Sequence, residues 1–301
     1  MIQKGIFSDK HVVFRVFLWL GLMLVMTVPT LLIWHHLAGN NPSVEALKVL
    51  QAVQTFVVFI FPLLVTVWLT EDDPVRRLCL DKGVSWATAG LVVLTVLVFS
   101  PGINLLSNLN EQLRLPEWLS RLEAYLKAQE ETAAALTDMM ASADSVPALL
   151  VNLCVMAVLP AVGEELCFRG GCQGLFPDGH GAPYLHSRLR PRTHVAIWIT
   201  AILFSALHFQ FYGFFPRMLL GALLGYLLCF TGSIYVPMLA HFTNNAVAVG
   251  CFYMEGKGIV AGETLETLGS GDTWWIGVLS LLTGAVLLWL FVRRQSSAPR
   301  P

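Results

Sequence analysis

Charge is scarce in this sequence. Asp, Glu, Lys and Arg supply 13% of its 301 residues, hydrophobic residues supply 55%, and the mean hydropathy is +0.65. That is too little polar surface to coat a soluble domain of this length, so the composition points to a chain that crosses a membrane several times. No Lys/Arg-rich block is present, which removes the electrostatic footprint of a nucleic-acid partner. The six cysteines (Cys79, Cys154, Cys167, Cys172, Cys229 and Cys251) lack the paired spacing of a zinc knuckle or a disulfide framework and read as small buried hydrophobes. The His-Glu-x-x-His spacing of helical zinc proteases is missing as well. So is any internal repeat of the kind that would suggest an inverted-repeat transporter.

What is abundant is apolar sequence in lengths of about 20 residues, the span of a membrane helix. Eight such stretches are predicted, near residues 12–34, 49–69, 86–106, 147–176, 194–209, 216–230, 234–253 and 274–292, the fifth and sixth being short. The expected fold is all-α, a polytopic membrane bundle of about eight helices. The organisation expected is a three-span N-terminal region over 1–146 with an outer amphipathic helix, a core over 147–253, and an outer loop, last span and tail over 254–301. Placing the N-terminus in the cytoplasm puts thirteen Lys and Arg inside and six outside, so both termini are expected to be cytoplasmic, in the plasma membrane of a bacterium.

Two connections stand out. The outer one, 107–145, carries Leu115, Trp118, Leu119, Leu122 and Leu126 at helical spacing and reads as an amphipathic helix on the outer membrane surface, capping the bundle without a substrate role, with a gate as the alternative. The inner one, 178–193, holds His180, His186, Arg188, Arg190 and Arg192 and reads as an anchor to anionic lipid. Gly221 and Gly225 form a small-x-x-x-small pair that lets a helix approach its neighbour closely.

Ionisable groups inside the spans carry the functional argument, because such groups are costly in lipid and line polar cavities when they occur. Glu164, Glu165 and Arg169 follow a long apolar run, His208 stands one turn after Phe204, and His241 is followed by Asn244 and Asn245. On a helix Glu165 and Arg169 share a face and can pair, whereas Glu164 points about 100° away, free to face a cavity. Pro160, one turn before the glutamates, should free backbone carbonyls toward that cavity. A carboxylate, two imidazoles and a carboxamide meeting there make a hydrolase: Glu164 as base, His208 holding the water, His241 and Asn245 stabilising an oxyanion. Two histidines and a glutamate leave zinc as an alternative.

Glu164-Glu165-x-x-x-Arg169, Phe204-x-x-x-His208 and His241-x-x-x-Asn245, in this order, resemble the CPBP intramembrane protease family, also called the Abi or CAAX-protease family. The resemblance covers about a third of the chain. It implies a conical cavity open to the cytosol and the membrane. Glu164 is the implied catalytic glutamate, His208 the water-holding histidine, and His241 and Asn245 the oxyanion residues, with Glu165 and Arg169 in support. It implies no cofactor, although its members were long listed as metalloproteases, and a peptide or membrane-tethered protein as substrate, without requiring that substrate to be prenylated. The rival expectation is a non-catalytic membrane regulator that binds a partner protein.

Overall fold

The computed structural model describes residues 5–38, 43–176, 189–260 and 267–297. The inner connection therefore lies mostly outside the described residues, which resume just before Pro191. Among the described residues the chain is all helical, without strands. In chain order the helices are α1 (Val12–Ala38), α2 (Val44–Thr70), the short α3 (Pro74–Arg77), α4 (Trp86–Glu111), α5 (Ser120–Ala141), α6 (Val146–Gln173), α7 (Pro191–Ala206), α8 (Phe214–Thr231), α9 (Tyr235–Gly256) and α10 (Trp274–Ser297).

The starts of these helices are written locally. Ser43, Ser85 and Ser145 sit just before α2, α4 and α6, and each side-chain oxygen accepts a backbone N–H of the first turn (Ala46, Thr88 and Ala148), while Asp73 does the same for α3 at Arg76. Gly232 ends α8 in the left-handed region, φ 65°, where its N–H closes on Leu228 O at 2.7 Å.

Six helices among the described residues are long and apolar enough to cross a membrane: α1, α2, α4, α6, α8 and α10. The expected eight therefore divide into six spans of ordinary character and two, α7 and α9, that fall short for opposite reasons. With 16 residues α7 is about 24 Å long, less than the roughly 30 Å of a bilayer core. α9 has 22 residues but interrupts its apolar face with His241, Thr243, Asn244 and Asn245. Both are the helices that bring polar groups to the centre.

Cross-chain hydrogen bonds define two ends of the bundle. At one end the N-terminal segment meets α2 (Gly5 N to Trp68 O, 3.0 Å), Arg15 pairs with Glu71 (2.7 Å), Arg77 reaches Gly170 O (2.9 Å), and Ile234 N bonds Cys79 O (3.1 Å). At the other end Asn110 bonds Phe211 O (3.1 Å), Tyr212 N donates to Glu130 of α5 (3.3 Å), and Asn152 donates to Ala141 O (2.7 Å). Between these ends a core of Trp19, Leu63, Leu78, Phe168 and Phe204 packs around α6, and a second core joins α4, α8, α9 and α10 through Val92, Leu224, Val236 and Phe291.

The outer amphipathic segment is longer than its sequence pattern indicated. A single 3₁₀ turn over Glu117–Leu119 leads into α5, and Trp118 projects 80% exposed.

Candidate active site

Helix α6 supplies the first group of polar residues, and its backbone is irregular around them. Leu153–Val158 and Leu166–Gln173 are π-helical, as is Thr55–Ile60 of the facing α2. Such turns widen the helix and re-aim side chains, and they recur at functional sites. Pro160 lies between the two π segments. Asn245 Nδ2 donates to Met156 O at 3.2 Å, while its Oδ1 accepts from Asn244 Nδ2, also at 3.2 Å. These two bonds fix which way the Asn245 amide points.

Glu165 and Arg169 are both fully buried and pair at 2.9 Å, one turn apart, as their spacing requires. Arg169 also donates to Gly221 O at 2.8 Å and lies 4.7 Å from the centre of the Phe204 ring. Gly221 is what permits this approach: a Cβ there would stand 3.1 Å from the Phe204 ring and 3.2 Å from Ala201 Cα. Gly163 does the same for α6 against α2, because a Cβ on it would meet the Thr55 methyl at 2.5 Å. The small-residue pair of α8 is thus a docking surface for the buried ion pair, beyond its role in packing.

The relationship that sequence spacing leaves open is how His241 engages the two glutamates. Its Nδ1 lies 2.7 Å from Glu165 Oε1 and its Nε2 3.9 Å from Glu164 Oε2. Glu165 thus serves Arg169 and His241 together, on one oxygen, and Glu164 turns away to the cavity with 19% of its side chain exposed. The 100° offset between adjacent helix positions separates the two carboxylates as expected. These contacts also place α6 and α9 at a common level, and α6 continues one turn past Arg169, to Gln173.

His208 departs from expectation. It lies just beyond the end of α7 and not within it: α7 stops at Ala206, and Phe209 adopts φ 55°. The last carbonyls of a helix lack backbone partners, and His208 Nδ1 bonds that of Phe204 at 2.7 Å. The four-residue spacing between Phe204 and His208 is therefore a side-chain cap. It commits Nδ1 and leaves Nε2 for another partner. Phe204 itself is a hub, with ring centroids 5.1 Å from Phe168, 5.1 Å from His208 and 6.0 Å from His241.

These groups line a cavity of about 390 Å³ that includes Glu164, His208, His241 and Asn245. Two contributors have no signature in the sequence. Arg217, in the first turn of α8, reaches the cavity wall with Nη2 on Gln210 Oε1 at 2.7 Å. Thr137 and Met140 of α5 also line it, so the amphipathic helix expected to be only a cap forms part of the wall. A second, polar cavity of about 460 Å³, with Asn104, Asn108 and Glu111 of α4 in its lining, adjoins the first through Asn244.

Among the described residues no three His, Cys, Asp or Glu side chains converge as a metal cage. Cys167 and Cys172 remain free thiols.

Residues 146–247, which contain all three motifs, match the family model described as Type II CAAX prenyl endopeptidase Rce1-like. This is the family that the motifs resemble. An uncharacterized protein of Bacillus subtilis, YpbD, is 30% identical over 100 residues, 32% of this chain and 43% of that protein. The chain thus aligns with less than half the length of that relative. No solved structure matches.

Proposed function

We propose that this integral membrane protein is an endopeptidase that hydrolyses a peptide bond in a membrane-associated peptide or protein, using water activated by Glu164. The observation that carries the reading is His241 held between Glu165 at 2.7 Å and Glu164 at 3.9 Å, beside a cavity that His208 and Asn245 also line. The family match over 146–247 supports it independently.

Each residue's part follows from its bonding. With Nδ1–H given to Phe204 O, His208 presents the Nε2 lone pair, which accepts one proton of the water in a hydrogen bond while Glu164 abstracts the other. The water oxygen bonds to the carbonyl carbon, and the carbonyl electrons move to oxygen. Asn245, whose first N–H is used on Met156 O, has its second N–H for that oxyanion. His241 gives Nδ1–H to Glu165, so Nε2 can donate to the oxyanion only as imidazolium. In that form the buried quartet of Arg169, His241, Glu164 and Glu165 is electroneutral, which suits a low-dielectric site. Collapse of the intermediate breaks the C–N bond, and the proton held by Glu164 goes to the leaving amine.

The test compares wild type with Glu164→Ala and His208→Ala, each purified and offered a peptide library or host membrane proteins, and reads new termini by mass spectrometry. Wild type should produce termini that both variants lack. Identical termini from all three, with folding intact, would favour the partner-binding regulator.

A further inference from the structure

We infer that the cavity is entered from the extracytoplasmic face, so that its substrate is a peptide segment of an exported or membrane-anchored protein on that side and not the cytosolic C-terminus of a prenylated protein. This rests on the proteolytic reading for its substrate, although the orientation stands on separate observations.

The first is where the cavity lies. Its lining includes Gln51, in the second turn of α2, Thr137 and Met140 of α5, His208 just past the end of α7, and Arg217 in the first turn of α8. All belong to the end of the bundle held together by Asn110, Glu130 and Asn152. The adjoining polar cavity reaches Asn108 and Glu111, in the last turn of α4, at that same end. Below Glu164, toward the other end, the bundle is closed: Glu165, Arg169 and Gln173 are fully buried, and Phe168 and Leu78 are buried beside them. The N-terminal segment and the last turn of α10 stand at this closed end, where Gly5 meets Trp68 and Gln295 meets Thr88. An opening toward the cytosol and cytoplasmic termini, both expected from the sequence, are therefore incompatible in this fold.

The second observation decides between them. The closed end carries Lys10, Arg15, Arg76, Arg77 and Lys82 on its first segments, Arg190 and Arg192 at the start of α7, and Arg293 and Arg294 at the end of α10. The cavity end carries Lys48, Arg114, Arg121, Lys127, Arg217 and Lys257, six against nine; carboxylate pairing occurs at both ends, with Arg114 and Lys127 on Glu123, Lys10 on Asp9, and Arg15 and Arg77 on Glu71. Orientation follows Lys and Arg near span ends, each worth roughly 1 kcal/mol beside an anionic inner leaflet. The closed end is then cytoplasmic and the cavity extracytoplasmic.

Cysteine labelling reads this directly and needs no substrate. Thr137→Cys places a thiol at the exposed cavity wall and Asp81→Cys one at the closed end, each measured over the background of the parent chain's own cysteines. In intact cells a membrane-impermeant maleimide should label Thr137→Cys, and Asp81→Cys only after permeabilisation. The reverse pattern overturns the proposal. A fluorescent protein fused after Pro301 checks the result without substitutions: it should fluoresce, whereas a dark fusion together with an active alkaline phosphatase fusion at the same point overturns it. Repeating the labelling with Glu164→Gln keeps the two readings apart, since orientation is unaffected if the protease assignment fails.

Discussion

His241 Nδ1 stands 2.7 Å from the same Glu165 oxygen that holds Arg169 at 2.9 Å. One fully buried carboxylate atom therefore joins the ion pair of α6 to the histidine of α9, and removing its charge strands both partners. Glu165→Gln should lower thermal stability in detergent by about 3–5 kcal/mol, the cost of leaving a buried cation uncompensated. It should also abolish measurable cleavage. Arg169→Met leaves Glu165 with His241 still at 2.7 Å and should destabilise by less.

Asn245 ties α9 to α6 through Met156 O. Asn245→Ala loses the proposed oxyanion donor and leaves Met156 O without the amide, so turnover should fall about 10²- to 10³-fold with a stability loss of about 1 kcal/mol, as measured by cleavage and by unfolding in parallel.

Gly163 sits beside the proposed base, and a methyl there collides with the Thr55 methyl. Gly163→Ala should destabilise by about 1–3 kcal/mol and displace Glu164. Thr55→Ser removes the obstructing carbon, so the double variant should recover most of both losses. A double-mutant cycle measures the coupling.

Cys79, in the turn after α3 at the closed end of the bundle, is 1% exposed, and burial raises its thiol to about 11. A group raised in the folded state stabilises fully below its unfolded value and loses that contribution as pH rises through the folded one. Cys79 should contribute about 3 kcal/mol to the decline in stability between pH 9 and 11, so the decline should be smaller by that amount in Cys79→Ala, the other buried thiols supplying the rest. Maleimide should leave this thiol unlabelled until the protein unfolds.

The three polar groups, their order and the pairing of Glu165 with Arg169 were legible because helix geometry acts over four residues and membrane insertion penalises every ionisable group. His208 was legible as a residue and not as a cap, because α7 ends where the turn of 207–213 is tied to Asn110 and Glu130, more than 70 residues away in sequence. Arg217 and Thr137 were not singled out: one stands at the very start of a predicted span, where a cation reads as a membrane-edge anchor, and the other lies beyond the apolar pattern of the outer connection. Their place in the cavity wall is a property of how α5 and α8 lean on α2 and α6.

By itself, the sequence determined a helical membrane protein with a buried carboxylate pair split by helix phase, and the residues of the proposed hydrolytic site. These follow from composition, periodicity and the cost of charge in lipid, which are local. Only the tertiary structure decided that Glu165 holds His241, that Asn245 bonds Met156 O of α6, and that the cavity lies at the end of the bundle opposite Gly5 and Gln295. Those relationships join separate helices, and packing at Gly163 and Gly221 sets the distances on which they depend.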